Sequence, residues 1–181
     1  MRAHSFATLV SMQADQLVAT HLPFVIHESE NGAIKLSAHM AKANEHWKAI
    51  EGREALTIFM GPHGYVSPAL YESKLSVPTW NYAAVHAYGT ARLVATGPVL
   101  DALIDEFDPA YQKQWDELPE DFKTKMTAGI VAFEITVDKL EGKYKFSQNR
   151  PKIDRASVAA AYVGTELGDL MTRALKLERA Q

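Results

Sequence analysis

The chain contains no cysteine. Disulfides, thiol nucleophiles, zinc fingers and thiolate-bound iron centres are therefore excluded, and a reducing, cytoplasmic setting is expected. There is no excess of basic charge either: 19 Lys and Arg stand against 22 Asp and Glu, a net charge of -3. A sequence-independent hold on nucleic acid needs clustered cations, so direct nucleic-acid binding is not expected. No run approaches the ~18 continuous apolar residues of a membrane span, and Met1 to Phe6 does not read as a signal peptide. No membrane association is expected. The seven histidines lack a spacing such as His-x-x-x-His, so no metal site is expected. Gly-x-Gly-x-x-Gly, a P-loop and a serine elbow are absent as well. No residue is assigned a catalytic role, and any chemistry would have to come from a cofactor.

What is present is an ordinary globular composition, 47% hydrophobic and 23% charged, over 181 residues. That length suggests one domain with room for a core and a small appendage. The first half reads as short strands: Ser5 to Met12, Leu17 to Ile26, Ile34 to Ser37 and Ala55 to Met60. Asn31-Gly32 is a hairpin signal and Gly61-Pro62-His63-Gly64 a tight turn. Asn44 is a candidate cap for a short helix containing Trp47 and Ile50. Asn81 to Val94 is the longest strand candidate, and Gly89 within it suggests a bend. Thr96 can cap a helix with the stripe Val99, Leu100, Leu103, Ile104 and Phe107. Pro119-Glu120-Asp121 opens another helix. Ile130 to Val137 and Leu140 to Phe146 read as two strands. Asp154 and Thr165 can cap two tail helices, the second with Leu167, Leu170, Met171, Ala174 and Leu175 on one face. Many strands with inserted helices give an α+β, mainly β expectation: a barrel-like sheet with helices packed at its ends.

Four segments offer binding chemistry, each beside a plainer reading. Ser37 to Asn44 ends a strand and starts a helix, and Lys42 with the helix N-terminus could seat a phosphate; Lys42 also reads as a solvated cation. Thr20, in Ala19-Thr20-His21-Leu22-Pro23, could donate a hydroxyl to a phosphate or ring carbonyl, or simply be a strand threonine. Trp80 and Tyr82 could wall a flat ring whose edge Asn81 bonds, or fill a core. Lys145 to Arg150 lines up Ser147, Gln148 and Asn149, a row of donors and acceptors, or a polar loop.

Five blocks carry a resemblance. They are Ala19-Thr20-His21-Leu22-Pro23, His39 to Asn44 with Trp47, Phe59 to Pro68, Pro78 to Gly89, and Leu140 to Arg155. In order, they resemble motifs of the PaiB-type FMN-binding negative transcriptional regulators. The last block matches the family pattern Leu-Glu-Gly-Lys-aromatic-Lys-x-Ser-Gln-Asn in full. The resemblance implies an FMN-binding split β-barrel, similar to pyridoxamine-phosphate oxidases, over residues 1–155. A C-terminal helical extension over 156–181 would pack on the same domain or on the partner subunit. It implies FMN as cofactor, bound at the interface of a homodimer. Lys42 and Asn44 would hold the phosphate with Thr20 and His39 nearby; Trp80 and Asn81 would line the cleft; Lys145, Ser147, Gln148 and Asn149 would approach the flavin. The Tyr-x-Pro start of the family is not in this chain, from which a weaker hold on the cofactor is expected, and Met12 to Asp15 lacks the glycine common at that hairpin. The implied function is gene regulation through a flavin or related small molecule, without direct DNA readout. The alternatives are a flavin-dependent oxidoreductase acting on a small molecule, and a scaffold that has lost its flavin.

Overall fold

The computed structural model describes residues 1–177; the last four residues of the expected extension over 156–181 lie outside the described ones. Seven strands form one sheet: β1 (Phe6–Gln13), β2 (Gln16–Pro23), β3 (Val25–Glu28), β4 (Ile34–Ala41), β5 (Glu54–Val66), β6 (Thr79–Val94) and β7 (Ile130–Lys145). Among the described residues six α-helices accompany them: α1 (Trp47–Ile50), α2 (Thr96–Phe107), α3 (Gln112–Glu117), α4 (Glu120–Thr127), α5 (Lys152–Ala161) and α6 (Glu166–Leu177). The strand order is β2-β1-β5-β6-β7-β4-β3. The two outermost strands, β2 and β3, are consecutive in the chain and separated by Phe24 alone. A sheet whose edges are joined by one residue has to curl on itself, which is how a barrel removes its edges.

The chain divides into two compact units, Met1–Phe59 with His86–Glu141, and Met60–Val85 with the chain from Gly142 on. In the first, β1 and β2 pair residue for residue from Phe6↔Pro23 to Gln13↔Gln16. That register leaves Ala14 and Asp15 as a two-residue loop, at φ 46° and 66°. Two left-handed residues match the twist of the flanking strands, and here the turn forms without glycine. The Asn31-Gly32 signal lies between the paired β3 and β4 as expected, with Gly32 at φ 80°. Phe24 anchors this unit's core, with Phe59 and Phe133 edge-on at 6.0 and 6.1 Å. The stripe on α2 buries Val99 and Leu103 against Val25 and Ala132. Ala95 rather than Thr96 is the N-cap of α2, and its side chain makes no capping bond.

In the second unit, Val66, Tyr71, Ala83 and Phe146 pack with Val158 and Ala159 of α5 and Leu167 and Met171 of α6. The remaining apolar residues of the α6 face, Leu170, Ala174 and Leu175, lie against the same cluster. Thr165 caps α6 as expected, its Oγ1 accepting from the Gly168 N–H at 3.1 Å.

Three further sequence expectations about the elements are corrected. Gly61 to Gly64 is not a turn, because β5 runs through it to Val66. Both glycines are there for close approach: a Cβ on Gly61 would sit 3.1 Å from the Ala83 carbonyl oxygen, and one on Gly64 would overlap the Tyr162 ring. The strands expected at 130–137 and 140–146 are one strand, β7. Its polar second half lies exposed, and Lys139 and Glu141 pair along one face of it at 2.7 Å. Asp154 does not cap α5; it sits buried in the first turn and accepts the Glu72 N–H at 2.9 Å.

Candidate functional site

The first unit brings Thr20 and Asn44 together. Asn44 Nδ2 donates to Thr20 Oγ1 at 3.1 Å, linking β2 to the turn after β4. Asn44 is not the cap of α1: its Oδ1 accepts the His46 N–H at 3.1 Å and closes a turn two residues before the helix. Both residues serve a histidine that sequence reading passed over. His46 is 1% exposed, with Nδ1 2.8 Å from Thr20 Oγ1 and Nε2 2.7 Å from Ser11 Oγ. Burial holds its pKa below the ordinary value, and each ring nitrogen has one hydroxyl partner. Ser11 is buried as well, so this Ser–His contact is enclosed within the unit and braces β1 against the segment that leads into α1. Nothing local in the sequence marks it, since Ser11 is 35 residues from His46.

His39, on β4, is half-buried, and burial lowers its pKa. Its Nδ1 is buried with no hydrogen-bond partner. Lys42 is exposed; its backbone N–H bonds Gly129, and its carbonyl accepts from the Trp47 indole at 3.0 Å. Those bonds fix the lysine's backbone at the end of β4 and leave its ammonium in solvent. The helix that follows has four residues, too short for the aligned peptide dipoles expected from the sequence.

The second unit brings together Asn81, Lys145, Ser147 and Asn149. Asn81 is fully buried, and its Nδ2 donates to Ser147 Oγ at 3.0 Å and to Met171 Sδ at 3.2 Å. The Ser147 hydroxyl lies 3.2 Å from Asn81 Oδ1, to which it donates. Ser147 is held at φ 61°, a left-handed conformation that costs about 1 to 3 kcal/mol for a non-glycine residue and collects at ligand sites. Gln148 turns back on its own segment: its Oε1 accepts the Phe146 N–H at 2.8 Å and its Nε2 donates to the Tyr144 carbonyl at 2.6 Å. Lys145 Nζ donates to Thr79 Oγ1 at 2.6 Å. Lys145, Ser147 and Asn149 line a cavity of about 180 Å³ with Thr79, Tyr71 and Arg150. Trp80 is 53% exposed, with Tyr65 and His63 at 6.1 and 6.0 Å between ring centroids. An aromatic ring left this open is a platform rather than core. Sequence reading had Arg150 in the same segment as Lys145 and Ser147 without a role, and had not placed His63, Tyr65 or Tyr71 with these residues. Among the described residues no three His, Cys, Asp or Glu side chains group as a metal site, and no helix is long and apolar enough to cross a membrane.

A seven-stranded antiparallel sheet with helices, its two edge strands joined at Phe24, is the arrangement of a split-barrel protein. Solved structures share that fold. The FAD and heme binding protein from Mycobacterium smegmatis superposes with a TM-score of 0.64 at 19% identity, over 86% of this chain and 73% of that one. The flavocytochrome Anf3 from Azotobacter vinelandii does so at 0.63 and 17% identity, over 86% and 69%. The family described as "Putative FMN-binding domain" matches residues 1–139. The protease synthase and sporulation protein PAI 2 of Bacillus subtilis (strain 168) is 34% identical over 165 residues, 87% of this chain and 78% of that protein. The chain belongs to the PaiB-type FMN-binding family, whose cofactor is FMN.

Proposed function

We propose that the protein is a homodimeric, cytoplasmic regulator of gene expression that senses or uses a small molecule through FMN and does not read DNA itself. The family match supports the flavin, and the exposed Trp80 platform is the observation that carries it. An isoalloxazine ring stacks on such a surface, and Tyr65 and His63 hold the indole in place. The flavin-binding domain spans residues 1–155 and an extension spans 156–181, whose described residues carry the end of α5 and α6. Lys42 faces the phosphate, with Thr20 and Asn44 set in position by His46, and the orphaned Nδ1 of His39 supplies a further polar contact. Trp80, Lys145, Ser147 and Asn149 face the flavin, while Asn81 and Gln148 shape the turn that carries them. FMN supplies electron-transfer chemistry when bound; the chain's own groups orient it.

Net charge is the argument against direct DNA readout. Gel-shift titration and light scattering on the purified protein test the reading. A dimer with no sequence-specific shift is expected; a monomer, or tight sequence-specific binding, contradicts it. The second reading, a flavin-dependent oxidoreductase, is favoured by the same open platform, which a substrate could share with the flavin. Steady NAD(P)H oxidation by the FMN-loaded protein would establish it.

A further inference from the structure

Arg150 follows the Ser-Gln-Asn row and turns the chain into α5, and its side chain has no structural duty equal to its charge. Its guanidinium lies over the Tyr71 ring, 4.2 Å from the centroid. Its polar bond is long, Nη1 to Ser76 Oγ at 3.4 Å. A guanidinium carries five donors in a planar fork, so stacking fixes the fork while leaving most of it unused. Lys145 stands on the same cavity wall and uses one of its three donors on Thr79. Neither cation pairs with a carboxylate among the described residues. The cavity lining contains no Asp or Glu.

Two unpaired like charges on one concave wall repel each other, and an anion between them relieves that repulsion. The remaining lining adds neutral donors. Thr79, Ser147 and Asn149 supply hydroxyls and an amide, and the hydroxyl of the 3%-exposed Tyr71 is buried without a hydrogen-bond partner. The volume sets the ligand's size. At roughly 30 Å³ per water, about 180 Å³ admits a head group and its solvent. It falls short of the ~300–1,000 Å³ of a site for a whole ligand.

We propose that this cavity is an oxyanion subsite that takes a phosphate group on the Arg150 fork with Lys145 as the second charge. A planar guanidinium binds phosphate through two parallel N–H bonds, which an ammonium does not do. The phosphate belongs to a second, non-flavin molecule, since the flavin's own phosphate is assigned to Lys42 in the reading on which this inference rests.

The test uses the full chain with Arg150→Gln and Asn149→Asp. The first removes the fork. The second places a negative charge in the same cavity from an exposed turn residue, leaving the Tyr71 stack intact. Thermal unfolding first shows that both variants are folded. FMN and riboflavin are then titrated by flavin fluorescence, and inorganic pyrophosphate is titrated into the FMN-loaded protein by calorimetry. Both variants should weaken one phosphate interaction by about ten-fold or more, the scale of a charge-assisted hydrogen bond. Loss of the preference for FMN over riboflavin would give the cavity to the cofactor's own phosphate and overturn the proposal. An unchanged preference with loss of pyrophosphate binding assigns it to a second ligand. If neither changes in either variant, the subsite is overturned while wild-type FMN binding still stands. If the wild type binds pyrophosphate and no flavin, the flavin reading fails and the subsite stands.

Discussion

Replacing Asn81 with Ala tests the turn that carries Lys145 and Ser147. Asn81 is fully buried and exchanges hydrogen bonds with Ser147, which is 3% exposed. Alanine leaves the Ser147 hydroxyl buried without a partner, which costs about 1 to 3 kcal/mol. The vacated volume beside Met171 adds a packing loss of about 1 kcal/mol or more. The expected total is about 2 to 4 kcal/mol, or a fall in Tm of about 2 to 4 °C per kcal/mol for a chain of this size. Urea denaturation of Asn81→Ala, Ser147→Ala and the double variant measures it. Removing both partners leaves no orphaned hydroxyl, so the double variant should be less destabilised than the sum of the singles. A single-variant loss under about 0.5 kcal/mol, or strict additivity, would refute the reasoning.

Two further outcomes follow from the first unit. His46 and His39 are both held below the ordinary histidine pKa by burial. Their contribution to stability is therefore complete above the unfolded value of about 6.5 and is lost as pH falls through the depressed folded values, at up to about 1.4 kcal/mol per pH unit for each ring. Urea midpoints should drop between pH 7.5 and 5.5, less so in His46→Gln; a flat wild-type profile contradicts this. Asp15 sits at φ 66° in the β1–β2 loop, so Asp15→Gly should raise stability by a few tenths to about 1 kcal/mol by relieving the left-handed strain. A lower urea midpoint would show that the aspartate side chain matters more than its backbone.

Where the structure followed the sequence, the signal was local. The Asn31-Gly32 hairpin, the Thr165 cap and the stripe on α2 each depend on residues a few positions apart. Where it departed, the deciding partner was distant. Gly61 and Gly64 are punctuation in one dimension and contact points in three, because Ala83 and Tyr162 press on them. Asn44 looked like a cap because a helix follows it; its amide is instead committed to Thr20 and its carbonyl to the His46 N–H. The candidate site divides the same way. Trp80, Lys145 and Asn149 were visible as polar and aromatic residues in unusual company. Arg150 stood in the same visible row, but its ring partner did not; Ser11, His46 and Tyr71 carry no local mark, since their partners lie 35 to 79 residues away.

The measurement that tests the central claim most directly is titration of FMN into the purified chain, followed by flavin fluorescence, with Lys42→Ala and Trp80→Ala alongside. Saturable quenching in the wild type, weakened in Lys42→Ala and spectrally altered in Trp80→Ala, is the predicted result. Failure of the wild type to bind FMN at any concentration used would contradict the account, and would mean that the barrel is kept here for some other ligand.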